Sequence, residues 1–270
     1  MEITHARRRL PARIAAALLA LFSLVPFFGL VDLSVSIAPS LYPDFADLIV
    51  LEATWGLLFS LLVPVPLLAW AVARVEWAAW QLLATAVAVG LAALVTAEPA
   101  QAVVAAVIAG AAVLPLSDGH GPAWARPSRA ALVLGGVGLA AALVHAWQLL
   151  GLRPGGAGDD ITWGLGHLAM QAGFALALPA VAVIGLGAAA HRSRGWTLAV
   201  AAPALSAVWF GVIGVVHPGL TGSLGVAGGA AAVLWGVAVA AVAAVERRRP
   251  ETARPRTPSR NGIRGRAASL

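Results

Sequence analysis

Residues 162–190 read TWGLGHLAMQAGFALALPAVAVIGLGAAA, a run of 29 residues in which His167 is the sole ionisable side chain. A helix rises 1.5 Å per residue, so about 20 such residues cross the roughly 30 Å of bilayer hydrocarbon. The stretch predicts a transmembrane helix. Seven further apolar stretches of the same kind lie around it, at about 12–35, 48–73, 77–96, 100–117, 130–151, 196–217 and 222–245. Loop punctuation separates them: Ala38-Pro39-Ser40, Ala97-Glu98-Pro99, Asp118-Gly119-His120-Gly121-Pro122, Pro154-Gly155-Gly156 and His217-Pro218-Gly219. The fold class that follows is all-α, a polytopic membrane bundle of eight transmembrane helices.

Composition agrees. Of 270 residues, 60% are hydrophobic and 11% charged, against about 45–50% and 25% in ordinary soluble domains. Disorder and most soluble folds are excluded. The chain has no cysteine, which removes disulfides, iron–sulfur clusters, thiolate zinc and Cys-attached haem. All 18 basic residues are arginine, so a retinal Schiff base on lysine is excluded as well. Arginine without lysine, beside heavy Ala and Gly usage, points to a GC-rich bacterial genome.

Orientation follows from the arginines, because basic loops stay in the cytoplasm during insertion. With the N-terminus inside, 17 of the 18 arginines fall on the inner side and Arg153 alone lies outside. The outer side collects Asp32, Asp44, Asp47, Glu52, Glu98, Asp159 and Asp160. The expected location is the bacterial cytoplasmic (inner) membrane with both termini cytoplasmic. The basic start followed by an apolar run also resembles a secretory signal. That run is too long and lacks a clear small-x-small cleavage site, so the first helix is read as retained.

The chain divides into a basic cytoplasmic N-terminus (1–11), two four-helix membrane units (12–120 and 121–245) and a disordered basic cytoplasmic tail (246–270). The tail is rich in Arg, Pro and Ser. Anionic lipid headgroups are its candidate contact beyond the bilayer itself. No aromatic residues interleave with its arginines, so nucleic acid is not an expected partner; the sequence names no protein partner.

Two spans open alike. Glu52-Ala53-Thr54-Trp55-Gly56-Leu57 is matched by Asp160-Ile161-Thr162-Trp163-Gly164-Leu165, each at the start of an outside-to-inside helix. A weaker match sets Glu98-Pro99 against His217-Pro218. Spans one to four and five to eight then form two parallel repeats related by an axis along the membrane normal. This arrangement is similar to that of haem A synthases, which also pair two four-helix bundles. The resemblance is one of architecture, because the first half has no span histidine and Phe59 stands where the second half has His167.

No Asp, Glu, Arg or His lies near the middle of any span, which argues against an ion pump with a midplane carboxylate. Polarity gathers instead toward the outer side of the second half. His145 with Gln148, and Asp160 with Gly164, His167 and Gln171, share helix faces by their spacing. His217 closes span seven. His145, His167 and His217 are candidate ligands for a divalent metal, with Glu52 or Asp160 as an added ligand. His145 and His167 are alternatively candidates to clamp a b-type haem. Glu52 and Asp160 also suit helix N-terminal capping. Pro26, Pro64, Pro66, Pro179 and Pro203 are expected to bend their helices.

Three functional readings result. The first is a non-enzymatic helical scaffold or interaction subunit without cofactor. The second is a haem- or metal-binding redox protein using the histidines. The third is a carrier of a small uncharged or lipid-like solute, with Glu52 and Gln171 as candidate contacts.

Overall fold

The computed structural model describes residues 2–116, 127–152 and 166–248, and every extended element among them is a helix. Eight segments are long and apolar enough to cross a membrane: Leu10–Ile37, Ile49–Ala73, Trp77–Thr96, Pro99–Leu116, Arg129–Leu152, His167–Ala190, Trp196–Val216 and Gly225–Arg248.

Two of these spans are broken. The first consists of α1 (Glu2–Leu24) and α2 (Gly29–Ile37), separated where Pro26 withholds an amide and Phe28 takes a left-handed φ of 63°. The second consists of α3 (Ile49–Leu57), a π-helical turn (Leu58–Leu62) and α4 (Pro64–Ala73). Pro64 and Pro66 cannot donate to the preceding turn, and Val63 N–H bonds to the Leu58 carbonyl at 3.0 Å in the wider spacing. The two breaks meet, because Phe27 packs against Trp55 and Phe59 with ring centroids 5.5 and 4.7 Å away. Gly56 makes this approach possible, since a Cβ there would collide with the backbone of Leu33 on α2.

The remaining spans are single helices: α5 (Trp77–Thr96), α6 (Pro99–Leu116), α7 (Arg129–Leu152), α8 (His167–Ala190), α9 (Trp196–Val216) and α10 (Gly225–Arg248). Pro179 and Pro203, expected to bend their helices, stand inside α8 and α9, and both helices run on through them. For α9 the reason is visible. Pro203 deprives the Ala199 carbonyl of its helical donor, and fully buried Gln81 on α5 supplies a replacement at 2.7 Å.

Burial sorts the spans into layers. Spans two, three, six and seven are mostly buried, whereas spans one, four, five and eight turn most of their surface outward. Each half therefore reads outer, inner, inner, outer. The main apolar core draws on both halves, from Ala16 to Ile213. Large apolar side chains such as Val72, Leu94 and Leu234 face outward, a surface suited to lipid. Hydrogen bonds tie down the end at which α1 begins and α10 finishes: Trp77 Nε1 donates to the Arg194 carbonyl at 2.9 Å. Arg247 stacks over Trp196 there, 5.9 Å from its ring centroid.

Candidate polar sites and an apolar trough

Both polar groups lie at the opposite end, where α2 leads into α3 and α9 into α10. The first is built around α3. Glu52, in its opening turn, is buried, and its carboxyl faces that of Asp32 on α2 within hydrogen-bonding reach. Its Oε1 also lies 3.8 Å from Nε2 of His167, the first residue of α8. The His167 ring stacks on Trp55, with centroids 4.9 Å apart and planes 17° from parallel. Its Nδ1 has no protein partner. Glu52 thus reaches across helices to other side chains, where the sequence suggested a cap on its own helix; no side chain caps α3.

The second group is built around α7 and α8. Fully buried Gln171 donates through Nε2 to the Gly222 carbonyl at 2.6 Å, and the same nitrogen lies 3.3 Å from Nε2 of His145. Phe210 packs on the His145 ring, with centroids 5.7 Å apart. Gly222, at φ +79°, leaves room for the Gln171 carboxamide that any Cβ would occupy. Gln171 therefore ties the 217–224 segment to α7.

His145 and Gln148 stand at the junction of two cavities. The first, about 550 Å³, runs among α7, α8, α9 and α10 and is apolar apart from these two side chains. It exists because the facing residues are small: Gly138, Ala141 and Ala142 on α7, Gly228, Ala231 and Ala232 on α10. Trp235 bridges its far end, with its indole on Gly138 and its N–H donating to the Leu134 carbonyl at 2.9 Å. From Gly138 to Gln148 the trough is roughly 15 Å long, about half the hydrocarbon thickness. The second cavity, about 270 Å³, opens above His145 and Gln148 and is walled by residues 219–223, including Thr221 and Ser223.

The structure thus joins His145 to Gln171 and His167 to Glu52. His217 caps the end of α9, half-buried. Among the described residues, no group of three or more His, Asp or Glu side chains is arranged to hold a metal ion. Both imidazoles named as haem ligands lie against protein aromatics, His167 on Trp55 and His145 on Phe210. Asp160 and the second copy of the repeated motif through Leu165 lie outside the described residues, as does the tail from 249.

Sequence reasoning missed the pairing of Asp32 with Glu52, Trp55 as the stacking partner of His167, and Gly222. Their partners are on other helices, and no spacing along the chain encodes such pairings. The small residues of α7 and α10 were legible, but as packing seams; that they wall a trough depends on how those helices diverge. Compared with known protein families, curated proteins and solved structures, the chain matches none.

Proposed function

We propose that this chain is a multi-pass protein of the bacterial inner membrane that binds a lipid-like amphiphile in the outer leaflet, as a carrier or receptor for it. The observation that carries the reading is the junction at His145 and Gln148, where an apolar trough one leaflet deep meets a polar cavity at the end of the bundle. An acyl or isoprenoid chain fits the first and a polar head the second. Small-molecule sites are apolar clefts of about 300–1,000 Å³ with few polar groups, and this trough falls within that range. A plain scaffold would gain dispersion energy by closing such a space.

The arginine distribution supports cytoplasmic termini, which places His145 and Gln148 on the periplasmic side. The outer, inner, inner, outer order of spans in each half supports duplication of a four-helix unit.

Two experiments test this. Native mass spectrometry of the protein released gently from membranes should show bound lipid-like adducts. Those adducts should be lost when Ala141→Phe and Ala232→Phe together fill the trough; a folded double variant with unchanged adducts overturns the reading. For orientation, Asp44→Cys in this cysteine-free chain should react with an impermeant thiol reagent in whole cells, and Arg192→Cys only after lysis. The reverse pattern overturns the topology.

A further inference from the structure

The chemistry of the bound head can be read from one buried amide. Gln171 Nε2 carries two hydrogens and accepts nothing. Its near partners are the Gly222 carbonyl, which can only accept, and His145 Nε2. Turning the carboxamide over would set Oε1 against the Gly222 oxygen, so the NH₂ faces both partners. Nε2 of His145 therefore accepts, and the ring hydrogen resides on Nδ1.

No acceptor meets that Nδ1 in full hydrogen-bond geometry, although His145 is only 5% exposed; the Gln148 carboxamide, one turn along α7, is the neighbouring side chain that interacts with the ring from the same cavity wall. A buried donor left unpaired costs about 1–3 kcal/mol, and His145 lines both cavities. The other side-chain polar groups among the described wall residues are the Gln148 amide, the Thr221 and Ser223 hydroxyls and the Trp235 indole N–H, which is already engaged with Leu134; among the described residues neither wall carries an Arg, Asp or Glu. A phosphate or an ammonium seated at the junction would find no counter-charge among the described residues, and desolvating it is expensive in a bilayer.

We infer that His145, held in its Nδ1–H tautomer by Gln171, donates to a neutral carbonyl oxygen at the head of the apolar chain. This rests on the proposed function. Two ligand classes offer that chemistry, a lipid ester and a long-chain quinone. Gln171 is a positioning residue that acts through the imidazole.

The test uses the full chain in nanodiscs of ether-linked phospholipid, which has no ester carbonyl. The probes are methyl palmitate, decylubiquinone and hexadecane. At least one carbonyl probe should bind about tenfold tighter than hexadecane, the equivalent of one good neutral hydrogen bond. Preference for the ester alone assigns a lipid, and preference for the quinone alone assigns a quinone; either supports the inference. His145→Phe and Gln171→Leu should abolish the preference while hexadecane still binds.

Plug-sensitive binding with no carbonyl preference overturns the inference and leaves the amphiphile site standing. Failure of every probe to bind overturns both. Nitrogen-15 NMR of histidine-labelled wild-type protein needs no variant to fold. It should show His145 protonated at Nδ1, and protonation at Nε2 would refute the inference.

Discussion

Gln81 offers a quantitative test of how the inner helices tolerate proline. Pro203 has no amide hydrogen, so α9 provides the Ala199 carbonyl with no donor from that position. Gln81 Nε2 meets this carbonyl at 2.7 Å and that of Val181 on α8 at 3.2 Å. Replacing Gln81 with leucine removes both bonds, each contributing about 0.6–1 kcal/mol between membrane helices. It also strands the Ala199 carbonyl in a dry interior, at about 1–3 kcal/mol. Against this, the substitution removes Gln81 Oε1, a buried acceptor without a partner, and recovers about 1 kcal/mol.

The net destabilisation is about 2 kcal/mol. Pro203→Ala restores an amide at 203 and gives Ala199 a helical partner whether or not Gln81 is present. Unfolding of the four proteins of this cycle in mixed detergent should show Gln81→Leu costing at least ~1 kcal/mol less in the Pro203→Ala background. An equal cost in both backgrounds would refute the claim that Gln81 compensates for the proline.

Two further predictions concern the polar end of the bundle. Gly222→Ala should destabilise the protein by about 1–2 kcal/mol, because alanine resists φ +79° and its methyl displaces Gln171. Hydrogen exchange across 217–224 should rise with it, and unaltered protection would contradict the pairing of Gln171 with Gly222. Gly56→Leu should force α2 away from α3, because the added side chain meets the Leu33 backbone. A short bifunctional thiol reagent joining Asp32→Cys to Glu52→Cys should then cross-link several-fold less efficiently; full yield would show that Gly56 does not set this approach.

Much of the architecture was written in the order of residues. Span limits read from apolar runs agree with most helix ends to within a few residues, because a membrane-crossing helix must be long and apolar wherever lipid surrounds it. Proline marked both broken spans, at Pro26 and at Pro64 and Pro66. At Pro179 and Pro203 the helices stay continuous, and what replaces the lost amide below Pro203, the Gln81 side chain, lies on another helix. Glu52 was legible in part: it stands in the first turn of α3, where an acid suits the dipole, and only the structure sets its side chain between Asp32 and His167.

The sequence by itself determined that eight apolar stretches alternate with more polar connections, that all but one of the arginines fall on alternate connections and the two ends, and that the polar side chains of the second half gather near one end. Tertiary structure alone decided their grouping. His167 and Gln171 stand one turn apart on α8, yet the first meets Glu52 of α3 and the second meets His145 of α7 and Gly222. In the Ala- and Gly-rich background, many helix rotations present an equally apolar surface to lipid. Which rotation is adopted is settled by close packing and by satisfaction of buried polar groups across helices, and periodicity within one helix carries no record of either.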